Sequence, residues 1–188
     1  GARQISRMAL VGCTPETAPV IEASWKRTNK ALEGMATGPA RFLFGDRISL
    51  SDLALYGQLK VMSVDPTPMA WLRKETPYLY RWLDLADDAS GLDGDWLEPG
   101  AAIATAPVKA LLAQAGDTYL PFLKANAEAL AAGAETFEVA LEGARYAQCV
   151  FKYQAKCLDT LRAGWNGLTA DDRAALRGLI GEGASILD

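Results

Sequence analysis

A chain of 188 residues, 50% of them hydrophobic, carries enough apolar surface for one substantial core and is of single-domain length. Nineteen Lys and Arg stand against 23 Asp and Glu, a net charge of -4, and neither sign gathers into a block, which argues against nucleic acid and membrane surfaces as partners. The sequence contains no histidine, so Ser-His-Asp and Cys-His catalysis and His-based metal sites are excluded.

Elements follow from punctuation more than from periodicity. Thr14-Pro15 sets a capping hydroxyl before a proline at the first helical position, and Ile21, Trp25, Leu32 and Met35 continue at helical spacing to Gly38-Pro39. This predicts an amphipathic helix of about five turns. Within Arg41 to Val61, Ser49 is a natural N-cap for the N–H of Asp52, and the Asp52 carboxylate can return to the N–H of Ser49. Ile48 and Leu53 flank this box at the positions of a hydrophobic staple. The residues beyond it, Leu50, Leu53, Ala54, Leu55, Leu59, Val61 and Met62, leave little polar face, which predicts a helix buried at the centre of a bundle, with Gly57 admitting a close neighbour. A capping role for Ser49 and Asp52 is favoured over a catalytic one.

Thr67-Pro68 and Thr76-Pro77 repeat the helix-start device, and after the second Leu79, Trp82, Leu83 and Ala86 share one face until Gly91. GLDGDWLEPG, from Gly91 to Gly100, is the densest run of turn formers and reads as a connection. Helical spacing resumes with Leu111, Leu112, Ala115, Tyr119, Leu123 and Leu130, where Gly116 and Pro121 should kink or split the segment. Phe137, Val139 and Leu141 then alternate with polar or small residues, Glu142-Gly143 can turn, and Tyr146 to Phe151 is again β-prone, predicting a hairpin. Two helices close the chain, one with a stripe of Tyr153, Cys157, Leu158 and Leu161, the next opened by a Thr169-x-x-Asp172 box.

Gly45-Asp46-x-Ile48-Ser49-x-x-Asp52-Leu53, followed by an Ala, an aromatic and an apolar helix, resembles the N-capping box and staple of the C-terminal domain of cytosolic glutathione transferases. FLFG before the box, the DPTP run after it and the helix beginning TPYLYRWL agree with that family in order, over about residues 16–90. Phe151-Lys-Tyr-Gln-Ala-Lys-Cys157-Leu158 is similar to a C-terminal extension in some bacterial members. The resemblance implies an all-α, glutathione transferase C-terminal-like helical bundle with a small β-hairpin. Its expected parts are a core at 1–90, a linker at 91–100, and a helical extension at 101–188 with the hairpin near 136–151, packed on the same core.

Family members bind glutathione, and stabilise its thiolate, on an N-terminal thioredoxin-like domain that this sequence does not show. No catalytic, cofactor or metal residue therefore transfers to this chain, and glutathione is implied only for an intact protein. Gly1 in place of Met fits a chain trimmed from a longer product. The resemblance implies the substrate-side domain of an enzyme acting on small electrophilic or hydrophobic compounds, inactive alone. The alternatives are a non-catalytic protein-interaction module and a ligand carrier. Candidate partners are a small hydrophobic ligand, the missing thioredoxin-like domain and a second copy of the chain; the loss of the domain predicts an exposed apolar face.

Three cysteines without CxxC spacing, Cys13, Cys149 and Cys157, suit a reducing, cytoplasmic setting. Cys13 precedes a helix start, where a dipole can activate a thiol, although a buried inert thiol is favoured. Arg145, Lys152 and Lys156 form either an anion site or a solvated basic face. Trp96, in the connection, is the tryptophan expected to touch a ligand or a second subunit.

Overall fold

A computed structural model describes residues 2–188. Its described residues divide into two compact units, one of residues 2–25 with 112–188 and one of residues 26–111. The chain crosses from one unit to the other within α2 (Ala18–Ala36) and again within α7 (Ala106–Gln114). The stretch 91–100, read from sequence as a connection, lies inside the second unit. Among the described residues no helix is long and apolar enough to cross a membrane.

The second unit holds α3 (Leu50–Met62), α4 (Pro66–Glu75), α5 (Pro77–Asp87) and α6 (Pro99–Ala104) with the ends of α2 and α7. α5 is its scaffold: Leu79, Trp82, Leu83 and Ala86, spaced on one helical face, are all buried, and α3 and α4 both pack on this helix. At the far end of α3 the Tyr56 hydroxyl donates to the Asp87 carboxylate, and Lys60 lies 3.6 Å from it.

The starts of α4 and α5 differ from the sequence expectation. α4 is capped by Asp65, whose carboxylate accepts from the Thr67 N–H at 3.2 Å with Pro66 at the first helical position, one dipeptide earlier than Thr67-Pro68. An Asp-Pro pair has the stronger cap acceptor, so the helix nucleates there. At α5 the Thr76 hydroxyl donates backwards to the Leu72 carbonyl at 3.2 Å and caps nothing. The N–H groups of Tyr78 and Leu79, which have no partner within the helix, go instead to the Glu33 carboxylate of α2, at 3.2 and 2.7 Å. An anion at a helix N-terminus also meets the positive end of its dipole, so a side chain distant in sequence does the work of the cap.

In the first unit, β1 (Thr136–Leu141) and β2 (Ala144–Cys149) form an antiparallel hairpin in which Leu141 pairs with Ala144. Glu142 and Gly143 both have positive φ, 53° and 78°, the two-residue turn whose twist matches the strands. The inward faces of Phe137 and Tyr146 meet Phe122 of α8 (Leu120–Ala131), with ring centroids 5.6 and 5.8 Å away. α9 (Lys152–Asn166) packs on α8, and Asn126 of α8 ties the two by accepting from the Phe151 N–H at 2.8 Å and donating to its carbonyl at 2.9 Å. In α9 the buried residues are Leu158 and Trp165, whereas Tyr153 and Leu161 of the expected stripe are exposed. α10 (Ala170–Ile180) starts at Thr169, which accepts from the Asp172 N–H at 3.1 Å.

The chain enters through α1 (Ala2–Met8) and a short turn at Ala9–Val11. α2 begins at Ala18, not at Pro15, because the residues between form a separate turn: the buried Thr17 accepts the Thr14 N–H at 3.0 Å and donates to the Gly12 carbonyl. The segment expected to kink or split at Gly116 and Pro121 is interrupted by a π-helical turn at Ala115–Tyr119 between α7 and α8, with Pro121 in the first turn of α8.

A polar clamp closes the first unit. The Asp188 carboxylate accepts from Arg177 at 2.7 Å and from the Trp165 ring N–H at 3.2 Å, and Arg177 lies 5.4 Å over the Trp165 ring. The Arg177 and then the Trp165 hydrogen bonds hold the Asp188 carboxyl below its ordinary value. The unfolded chain takes up this proton more readily, so the clamp's contribution is complete above the ordinary aspartate value and is lost as pH falls through the lowered folded value. Asp188→Asn is therefore expected to melt below the parent at neutral pH. The difference should shrink as thermal scans are moved to acid, and a gap constant with pH would contradict the assignment.

Candidate functional site

The capping box at α3 is the local device from which the site is built. Ser49 Oγ accepts the Asp52 N–H at 3.2 Å, and the Asp52 carboxylate accepts the Ser49 N–H at 2.9 Å and its hydroxyl at 2.5 Å. The other Asp52 oxygen accepts the Leu43 N–H at 3.0 Å, so the fully buried carboxylate also fixes the turn before the helix. Ile48 is half-buried and Leu53 is 48% exposed.

That segment is held from its other side as well. Gly45, at φ 134°, brings the 42–46 turn so close to residues 95–97 that a Cβ there would stand 2.4 Å from the Asp95 carbonyl. The Asp46 N–H donates to Asp95 at 3.0 Å and the Leu97 N–H to Phe44 at 2.8 Å. The Trp82 ring N–H donates to the Arg41 carbonyl at 2.9 Å, with its ring 6.3 Å from Phe42 in an edge-to-face contact. Backbone from 41 to 46 is thus pinned by α3, by α5 and by residues 95–97.

This pinned segment walls two hollows within the second unit. One, of about 500 Å³, runs between the end of α2 and the α6–α7 region; Met35, Phe42, Leu43, Leu97 and Pro107 are among its walls, and no ionisable residue lines it. Its one hydroxyl side chain, Thr105, donates to the Ala102 carbonyl at 2.9 Å. The volume lies in the range of small-molecule pockets, and apolar walls with few polar groups are what such pockets present. The second, a cleft of about 320 Å³, is lined by Arg41, Tyr78, Arg81 and Trp82. Gly38, Pro39 and Ala40 line both.

The residues singled out from the sequence are placed as follows. Arg145 on β2 makes a two-pronged ion pair with Glu138 on β1, its Nε 2.8 Å from the carboxylate, and this hydrogen bond lowers the Glu138 carboxyl below its ordinary value. Lys152 and Lys156 are exposed on the first turns of α9. Cys13, Cys149 and Cys157 are half-buried and unpaired. The Tyr146 phenol is raised by burial and secondarily by Cys13, and it donates to the Val11 carbonyl at 2.9 Å. Trp96 is 50% exposed with the Arg47 guanidinium 5.7 Å from its ring centroid. Among the described residues no cluster of Cys, Asp and Glu could hold a metal ion.

α3 departs from its expected burial. Asp52 and Leu59 are buried, but Leu50 is 83% and Val61 68% exposed, and Val64, two residues past the end of the helix, is 71% exposed. An apolar helix is covered only where another element packs on it, and within this unit that element is α5, on one side. The cavity itself was invisible to sequence reasoning, because its walls come from positions as far apart as Gly34 and Pro107.

Residues 17–85 match the family model described as "Glutathione S-transferase, C-terminal domain". No curated protein and no solved structure matches the chain.

Proposed function

We propose, because residues 17–85 match the family model for the glutathione S-transferase C-terminal domain, that the chain is the substrate-side part of a glutathione transferase-like enzyme acting on small electrophilic or hydrophobic compounds. A thioredoxin-like domain binds glutathione in the intact protein, and the chain described here does not conjugate on its own. The observation that carries this reading is the uncovered apolar face of α3, with Leu50, Leu53 and Val61 in solvent on a helix otherwise anchored by a buried cap, and Val64 exposed just beyond its end. Contiguous exposed apolar surface marks a docking face, and the glutathione-binding domain is the partner that the family supplies. The apolar cavity behind Leu43 is the part of the chain suited to a small compound. Three unpaired thiols suit a reducing, cytoplasmic setting.

The test has two arms. The purified chain, mixed with glutathione and 1-chloro-2,4-dinitrobenzene, is expected to give the uncatalysed rate, and the coding sequence upstream is expected to contain a thioredoxin-like βαβ unit. Conjugation by the chain alone, or an upstream region without that unit, overturns the reading. Capture of a stoichiometric protein partner by the α3 face, together with no such unit, favours an interaction module.

A further inference from the structure

The smaller hollow, the cleft of about 320 Å³, gathers two guanidinium groups and a phenol. Tyr78, Arg81, Trp82 and Leu85 stand at i, i+3, i+4 and i+7 and line it from one side of α5, and Arg41 joins them from the turn after α2. The Trp82 ring N–H, bonded to the Arg41 carbonyl at 2.9 Å, ties that turn to α5, so the backbone of both arginines is placed without help from their guanidinium groups. Among the described residues no acidic side chain lines the cleft. We propose that it binds a small organic phosphate monoester, with Arg41 and Arg81 on the phosphate, the Tyr78 hydroxyl donating to it, and the organic group against Pro39 and Leu85. The proposal uses neither the apolar cavity nor the α3 face, so its failure leaves the reading of function untouched.

The arginines are weakly engaged. Arg81 stands 3.9 Å from Asp84, with both side chains largely exposed, and an exposed pair at that distance contributes little and exchanges readily for a better acceptor. Arg41 reaches the Asp93 carbonyl only at 3.4 Å, the long limit of a hydrogen bond. Two carboxylates close by are taken: Asp46 accepts the Arg41 backbone N–H at 3.1 Å, and Glu33 accepts the N–H groups of Tyr78 and Leu79. The donor set selects the head group. A carboxylate has two oxygens and one charge, which a single guanidinium fork satisfies. A phosphate monoester has three terminal oxygens and a charge of about -1.5 to -2 at neutral pH, so it draws on two guanidinium groups and a phenol at once. The cleft's volume stands at the lower end of small-molecule pockets and leaves room beside the phosphate for an organic group.

Calorimetric titration of the whole chain with phenyl phosphate, benzoate and inorganic phosphate separates head group from body. Phenyl phosphate is expected to bind at least about tenfold tighter than benzoate at low salt, with the advantage narrowing as salt screens the exposed arginines, and tighter than inorganic phosphate, which lacks the ring. Arg41→Gln and Arg81→Gln are each expected to weaken phenyl phosphate about tenfold, the scale of one charge-assisted hydrogen bond, and the double variant to abolish binding. Arg81→Lys keeps the charge but loses the fork and is expected to stay weaker than the parent. Both arginine side chains lie in solvent, so these variants are expected to melt with the parent. Lys152→Gln/Lys156→Gln removes the same charge from exposed positions on α9 and is expected to leave the affinity unchanged. No binding of phenyl phosphate, or binding that survives loss of both arginines, overturns the site. An equal loss in the lysine variant shows attraction to net charge alone and overturns it too. Benzoate as tight as phenyl phosphate overturns the phosphate head, and inorganic phosphate as tight overturns the organic body.

Discussion

Asp52→Ala is expected to be the most damaging change in the second unit. The carboxylate is fully buried and accepts from the Leu43 N–H, the Ser49 N–H and the Ser49 hydroxyl. Alanine leaves two buried N–H groups without their acceptor, and each orphaned donor costs about 1–3 kcal/mol, so a total of about 4 kcal/mol follows. For a chain of this size that corresponds to a drop of about 8–16 °C in the thermal midpoint. Ser49→Ala removes the acceptor for the Asp52 N–H and one of the three donors to the Asp52 carboxylate, which keeps its two backbone partners, and is expected to cost about 0.5–2 kcal/mol. Differential scanning calorimetry orders the two variants. An Asp52→Ala midpoint no lower than that of Ser49→Ala would show that the carboxylate holds the cap alone and not the Leu43 segment.

Because Leu43 and Phe42 wall the cavity, the same substitution carries a functional consequence. Releasing the Leu43 N–H loosens the wall, so any ligand of the cavity should bind more weakly even at temperatures where Asp52→Ala remains folded. The cap thus links a local hydrogen-bond motif to the shape of the site.

In the first unit, Gly116→Ala is expected to have the larger effect than any surface change, for a steric reason. A Cβ on Gly116 would lie 1.9 Å from the Ile180 carbonyl oxygen and 2.9 Å from its carbon, and one on Gly183 would lie 2.2 Å from the Gly116 oxygen. Backbone passes backbone here, so no flexible side-chain end can give way, and either substitution forces apart α10, the following Gly181–Ile186 turn and the π-helical turn. Overpacking typically costs about 1–3 kcal/mol, and a clash against backbone belongs at or beyond the upper end. The double variant Gly116→Ala/Gly183→Ala should cost less than the sum, since one displacement relieves both clashes. Urea unfolding reads this directly, and additive losses would mean that the two glycines face separate contacts.

Features closed by atoms a few residues apart were legible in the sequence. Ser49 and Asp52 exchange hydrogen bonds across one helical turn, the Glu142-Gly143 turn joins adjacent strands, and Leu79, Trp82, Leu83 and Ala86 fall on one face by helical spacing alone. Such patterns need no knowledge of the rest of the chain. Where a local signal failed, a competing partner stood far away or a stronger one nearby: Glu33 caps α5 from a distance of more than forty residues, and Asp65 takes the start of α4 from Thr67.

The tertiary structure alone decided which apolar face stays uncovered and where the chain leaves a hollow. α3 reads as buried all round because hydropathy records the wish of a surface to leave water, not whether a neighbour comes to meet it. The cavity forms because Gly34, Leu43, Leu97 and Pro107 approach without filling the space between them, and a void is a property of the packed arrangement, not of any residue in it.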